Sequence, residues 1–252
     1  MRRDFVANVS HEVRTPLTVL SGFVETMQSV PLTQEESQRY LELMALQARR
    51  MQHLVQDLLT LSRLEGSPPP DQSERAHLAE LLEIGVNDAR VLTEVLATEK
   101  GELPHRIRCE IESGVPEEVF GSVSELQSAI GNLLSNAVRY TPQGSEIIAG
   151  LSRTAEGGVQ LYVKDHGPGI PAEHLPRITE RFYRVDRSRS RETGGTGLGL
   201  AIVKHVAQRH GARLHVESKP DDGARFALDF PEYRLYRQHE ALPARPELSP
   251  RH

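Results

Sequence analysis

The sequence predicts an α+β protein of two domains: an antiparallel helical hairpin, paired with a second copy as a four-helix bundle, followed by an α/β sandwich. Three observations carry this. Residues 4–65 repeat apolar side chains at steps of three and four with one interruption, a Pro-rich break follows, and helical stripes then mix with alternating, strand-like segments. A chain of 252 residues is long enough for both domains.

In the first helix Phe5, Val9, Val13, Pro16/Leu17, Leu20, Phe23/Val24 and Met27 form the apolar stripe. Val30-Pro31-Leu32-Thr33 interrupts it, and Thr33 followed by Glu36 predicts a capping box for the second helix. There Tyr40, Met44, Gln47, Met51, Leu54, Leu58 and Leu61 alternate steps of four and three, a heptad seam. One hairpin cannot cover both of its stripes, so the pattern predicts a homodimer. The hairpin domain is expected over 1–65 and a stiff linker over 66–77, opened by Gly66-Ser67-Pro68-Pro69-Pro70-Asp71. The second domain is expected over 78–235. It should hold helices near 78–98, 123–139 and 198–210, with a short helical piece near 172–180. Strands are expected near 105–112, 117–121, 145–153 and 158–165, and a closing hairpin pairs 213–218 with 224–230 around Asp221-Asp222-Gly223. This mixture reads as antiparallel strands with helices on one face. Residues 236–252, with three prolines among polar residues, are expected to be disordered.

Composition excludes several classes. Thirty basic and 35 acidic side chains leave a formal charge of -5, which argues against a direct nucleic-acid binder. The single cysteine, Cys109, excludes an internal disulfide framework and a cysteine zinc cluster. No apolar run approaches the ~20 residues that span a bilayer, so the chain as given is expected to be soluble.

Residues 166–196 form a long segment rich in Gly, Pro, Arg and Ser, and such a segment inside a compact domain points to a binding loop or lid. Asp165-His166-Gly167-Pro168-Gly169-Ile170 opens it and Gly194-Gly195-Thr196-Gly197-Leu198-Gly199-Leu200 closes it onto a helix start. Glycines let backbone N–H groups approach an anion, and a helix N-terminus adds positive potential.

Five segments occur in one order. They are Ser10-His11-Glu12-Val13-Arg14-Thr15-Pro16-Leu17, Asn132 to Thr141 (NLLSNAVRYT), Asp165 to Ile170, Arg181-Phe182-Tyr183-Arg184, and Gly195 to Leu200. Together they resemble the H, N, G1, F and G2 boxes of two-component sensor histidine kinases, across about residues 3–231. The opening Arg3 to Glu12 and Leu17 to Gly22 are most similar to the phosphate-regulon group. The resemblance implies an ATP-binding domain of the Bergerat type, shared with gyrases and chaperones, that moves the γ-phosphoryl group of Mg-ATP to a histidine on the dimeric hairpin. The group then passes to an aspartate on the receiver domain of a response regulator. Such proteins begin with a membrane-embedded sensory part. His11 leaves no room for one, so the chain reads as the cytoplasmic core of a longer receptor on the inner membrane.

Within that resemblance His11 is the expected nucleophile, because neutral imidazole attacks at cytosolic pH and its phosphoramidate remains a donor. Glu12 can take the proton from the other ring nitrogen, and Thr15, one turn on, is implied to orient water for dephosphorylating the regulator. Asn132 and Asn136 share a helix face. Asn136 is the expected Mg²⁺ ligand through a hard amide oxygen, supported by Asn132, with Arg139 reaching phosphates and Tyr140 packing on the nucleotide. Asp165 can accept from the adenine amine. Gly167 and Gly169 make room under the base, and Gly195, Thr196, Gly197, Leu198 and Gly199 cradle phosphates. Phe182 and Tyr183 should anchor the lid. Among Arg181, Arg184, Arg187, Arg189 and Arg191, Arg184 is the leading candidate for a catalytic cation at the γ-phosphate. Superfamily members that hydrolyse ATP carry a glutamate where Asn132 stands; an amide cannot deprotonate water, which favours transfer to histidine over hydrolysis. The intact set argues against a non-enzymatic scaffold.

Overall fold

The structure, a computed structural model, describes residues 2–71, 73–186 and 195–236. Helix α1 (Arg2–Ser29) and helix α2 (Gln34–Gly66) form the hairpin. Thr33 caps α2: its N–H donates to Glu36 Oε2 at 2.9 Å, and its hydroxyl accepts from the Glu36 N–H at 3.2 Å. This satisfies two otherwise orphaned backbone donors at the turn between the helices. Thr33→Ala is expected to cost about 1 kcal/mol, read as a fall in Tm of roughly 2–4 °C by circular dichroism. Every position of the heptad seam is buried or half-buried, with Leu54 and Leu61 the deepest. Phe23 meets Tyr40 across the hairpin with ring centroids 5.3 Å apart. Leu17, Leu41, Leu46, Val55 and Leu59 stay about half-exposed, a second apolar stripe that one hairpin leaves uncovered.

Beyond the hairpin, Arg75–His77 forms a short strand, β1, antiparallel to β3 (Glu118–Phe120). The end of the expected linker is therefore woven into the second domain; three residues are too few to show an alternating pattern. The main sheet has the order β2 (Arg106–Ile111), β4 (Glu146–Arg153), β5 (Val159–Asp165), β7 (Ala224–Phe230), β6 (Arg213–Ser218). The expectation of antiparallel strands throughout is corrected at one edge, where β2 and β4 run parallel. Between them the chain passes through β3 and helix α4 (Val123–Tyr140), the crossover that parallel neighbours require. Helices α3 (Leu78–Lys100), α4 and α5 (Gly199–Arg209) pack on the sheet. The buried alternation Ile147, Ala149, Leu151 on β4 and Val159, Leu161, Val163 on β5 faces them. Helix α4 answers with Leu126, Ile130, Leu133, Leu134 and Val138. Each such side chain, fully buried, contributes about 1.5–3 kcal/mol.

One further expectation changes and another falls almost wholly outside the described residues. Residues 172–180 form no helix but a succession of turns, closed by Arg177 N–H to His174 O at 2.8 Å and Glu180 N–H to Arg177 O at 2.8 Å. The expected disordered tail lies outside the described residues except for Tyr236, whose N–H donates to Glu118 O at 2.9 Å.

The junction between the domains is held by Arg209 at the end of α5. Its guanidinium uses all five N–H donors. Two go to the Glu125 carboxylate, each at 2.8 Å, and three to the carbonyls of Leu64 (3.0 Å), Ser67 (2.6 Å) and Pro68 (2.8 Å). The last turn of α2 and the first residues after it are thereby tied to α4 and α5. On the other side of the break, the Glu74 carbonyl accepts from Gly121 N–H at 3.0 Å and its carboxylate from Val123 N–H at 2.9 Å.

Candidate nucleotide site and its contact with the hairpin

One face of α4 is buried in the core; the strip beside it, Asn132, Ser135, Asn136, Arg139 and Tyr140, is half-buried. This strip looks across to the C-terminal end of β5 and the start of α5. Two adjoining cavities open there. The first, about 180 Å³, is largely apolar, lined by Ala137, Tyr140, Ile170, Ile178, Leu200 and Phe226 with Asp165 at its base. The second, about 270 Å³, is polar, lined by Asn132, Asn136, Arg139, Gly195, Thr196, Gly197 and Gly199. Asn136, Tyr140, Tyr183 and Arg184 border both. An apolar chamber with one carboxylate, continuous with a chamber of amides, glycines and an arginine, has the polarity of a nucleoside followed by its phosphates.

Asp165 ends β5 with 7% of its surface exposed, and its Oδ1 accepts from Gly167 N–H at 2.8 Å. Burial pushes the carboxyl pKa up, against the lowering by the backbone N–H groups of Gly167 and Ala224. Beside it the Thr141 hydroxyl is buried without a hydrogen bond of good geometry, so a polar atom waits for a partner at the base of the first chamber. Gly169 has φ +69°, and a side chain there would run into the Lys219 carbonyl. At the other end a Cβ on Gly199 would sit 2.5 Å from Asn132 Oδ1, so a side chain there would push the asparagine amide aside. Among the described residues no cluster of three His, Cys, Asp or Glu could hold a metal; on α4 the hard oxygens facing the polar chamber include the amides of Asn132 and Asn136. These features fit an adenine nucleotide with its cation.

The loop is fastened at both ends. Phe182, at φ +63°, donates its N–H to Gly197 O at 2.8 Å, a strained backbone for an aromatic residue that ties the loop's start to its finish. The Tyr183 hydroxyl meets His174 Nδ1 at 2.6 Å, and Arg177 lies 4.3 Å from the Tyr183 ring centroid. Both aromatics pack against the core, as expected for anchors. Arg187, Arg189 and Arg191 lie outside the described residues.

The cavity abuts the hairpin near His11. His11 is exposed on α1, and its carbonyl accepts from the Thr15 hydroxyl at 3.1 Å. The next residue, Glu12, is ion-paired to Arg184 at 3.0 Å and to Arg50 at 3.6 Å. Arg184 thus reaches from the cavity wall to the residue beside the histidine, and its side chain is only 6% exposed. Farther along α2, Asp57 accepts from the Thr196 hydroxyl at 2.6 Å. Near the end of α2 Glu65 pairs with Arg181 and stands 3.5 Å from His205; burial lowers the His205 pKa, with Arg181 adding to the effect.

Of the residues expected at the nucleotide, Asn132, Asn136, Arg139, Tyr140, Asp165, Gly169, Gly195, Thr196, Gly197 and Gly199 line the two chambers. Gly167 supports them through Asp165. Leu198 does not line them; it is fully buried in the core at the start of α5. Sequence reasoning missed Thr141, the last letter of the asparagine segment, and His53 and Asp57, which enter the second chamber from the hairpin. Their i,i+4 spacing gave the only signal, and it reads equally as a solvated face.

A helix bearing an exposed histidine, set against a two-chambered cavity of nucleotide-like polarity, is the layout expected of a phospho-acceptor domain joined to an ATP-binding one. Comparisons with known proteins agree. The His Kinase A (phospho-acceptor) domain model matches residues 1–67, and the model of histidine kinase-, DNA gyrase B- and HSP90-like ATPases matches 121–234, which implies ATP binding. The chain belongs to the sensor histidine kinases. It is 47% identical to the phosphate regulon sensor protein PhoR of Pseudomonas aeruginosa, over 91% of this chain and 50% of that protein. It is 38% identical to the sensor-like histidine kinase SenX3 of Mycolicibacterium smegmatis, over 92% of this chain and 58% of that one. The chain thus spans about half the length of the curated relatives it matches. Among solved structures, full-length ShkA in complex with AMPPNP aligns with TM-score 0.61 and 28% identity, covering 90% of this chain and 45% of ShkA. The Acinetobacter baumannii histidine kinase AdeS aligns with TM-score 0.64 over 88% of this chain and 97% of AdeS at 21% identity, a likeness of fold alone. Among the described residues no helix is long and apolar enough to cross a membrane.

Proposed function

We propose that this chain binds Mg-ATP in the two chambers, phosphorylates itself on His11, and passes the phosphoryl group to an aspartate on the receiver domain of a response regulator. The observation that carries the reading is the pair of contacts Glu12–Arg184 and Asp57–Thr196, which hold the polar end of the cavity against the hairpin, the first of them at the residue next to His11. Asp165 and the Thr141 hydroxyl would hold the adenine edge, with Gly167 and Gly169 giving the backbone room. Asn132, Arg139 and the run from Gly195 to Gly199 would hold the phosphates, and Asn136 would hold Mg²⁺. When bound, Mg-ATP supplies an electrophilic γ-phosphoryl group and a neutralised leaving group. In the transfer the His11 ring forms the N–P bond with the lone pair of one nitrogen as the P–O bond to ADP breaks. Glu12 takes the proton from the other ring nitrogen once Arg184 leaves it for the γ-phosphate. Thr15 serves the reverse task, orienting water to dephosphorylate the regulator.

The uncovered stripe Leu41, Val55 and Leu59 supports a homodimer through the hairpin. The division into a hairpin over 1–65, a linker, an ATP-binding domain to 235 and a tail over 236–252 belongs to the same proposal, with residues 75–77 of the expected 66–77 linker taken into the ATP-binding domain as β1. So does a longer receptor, with its sensory part in the inner membrane and this portion on the cytoplasmic side, answering phosphate limitation as the likeness to the phosphate regulon sensor suggests. Incubation with γ-labelled ATP tests the reading: protein-bound label that is acid-labile and alkali-stable is expected, mapping to His11. Rapid ADP release with no labelled protein would instead make the chain an ATP hydrolase.

A further inference from the structure

Helix α2 puts an anion of its own into the phosphate end of the cavity. His53 and Asp57 are four residues apart, share a face, and both line the polar chamber opposite Asn132, Arg139 and Gly195 to Gly199. Asp57 Oδ2 accepts a hydrogen bond from the Thr196 hydroxyl at 2.6 Å. Burial raises the Asp57 pKa, against the Thr196 bond and the charges of His53 and Arg139, which favour the carboxylate. Burial likewise lowers the Arg139 guanidinium pKa, with Tyr140 and, after it, the Asp57 charge working the other way. A triphosphate would seek the same partners, a hydroxyl donor, a half-buried guanidinium and the glycine-loop N–H groups, and it would bring further negative charge next to Asp57.

We propose that Asp57 is a competitor for the phosphate end of the nucleotide site, an anion supplied by the hairpin that the phosphates of ATP must displace from Thr196 and Arg139. Nucleotide binding and the docking of the ATP domain on α2 are then antagonistic at this point, and by reciprocity each weakens the other equally. The inference rests on the reading of the cavity as an ATP site.

The test compares affinities of the full chain for Mg-ATP and for adenosine by titration calorimetry, in the natural sequence and in Asp57→Asn. The amide keeps the size of the side chain and can still accept from Thr196, but it no longer neutralises Arg139. ATP is expected to bind roughly fivefold or more tightly to the variant, and adenosine, which carries no phosphate, with unchanged affinity. Asp57→Ser, which also removes the charge, should do the same and guards against a peculiarity of one substitution. ATP affinity equal to or weaker than that of the natural chain in both variants would overturn the proposal. An equal gain for adenosine would overturn it too, since it would mean a general loosening of the cavity. If neither ligand binds the natural chain or the variants, the ATP-site reading itself has failed.

Discussion

His11→Gln is expected to abolish incorporation of label from γ-labelled ATP while leaving ATP affinity and the dimer unchanged. Glutamine matches the ring in reach and polarity but offers no basic lone pair, so the N–P bond cannot form. The side chain is exposed and its hydrogen bond to Thr15 runs through the backbone carbonyl, which the substitution keeps. Exposed exchanges of this kind change stability by about 0.5 kcal/mol or less. Calorimetry with ATP and a sedimentation measurement of the oligomer supply the controls. Full labelling of the variant would remove His11 from the mechanism.

Asp165→Asn is expected to weaken ATP binding by about two orders of magnitude while leaving the fold intact. Asn keeps the shape and one acceptor oxygen for the Gly167 N–H, but its NH₂ then meets the adenine amine donor to donor. A charge-assisted hydrogen bond contributes about 1.5–3 kcal/mol, and leaving a buried donor unpaired adds a comparable penalty. Stability should move the other way. Burial raises the folded-state pKa of Asp165 above its unfolded value, so the folded chain holds this proton more tightly, and stability falls as pH rises from the unfolded toward the folded pKa. Asparagine cannot ionise and escapes that loss, so the Tm of the unliganded variant at pH 7 should equal or exceed that of the natural chain. A lower Tm, or an undiminished ATP affinity, would show that the carboxylate serves packing and not recognition.

Much of this architecture was legible in the sequence because it rests on periodicity and punctuation. The heptad seam, the Thr33–Glu36 box and the closing β-hairpin around Asp221-Asp222-Gly223 are local patterns, and each falls where the spacing placed it. What failed was either too short or too distant. The strand Arg75–His77 is defined only by its partner some forty residues on. Residues 172–180 carry polar and apolar side chains at helical spacing, yet the backbone turns repeatedly instead of winding on. The parallel pairing of β2 with β4 follows from a crossover, not from either strand's composition. In the site, most residues named from the recognisable segments line the two chambers, Leu198 excepted, whereas Asp57 and Arg209 act across more than 130 positions of sequence and look like ordinary helix-surface charges until the chain is folded.

Helix α5 links two such distant points of the fold. Its first residue, Gly199, borders the phosphate chamber; its last, Arg209, grips the final turn of α2 with a saturated guanidinium. Eleven residues of α-helix make a stiff rod about 16 Å long. The last turn of α2 and the glycine turn at the polar chamber are therefore joined by a continuous helix that bypasses the proline-rich stretch.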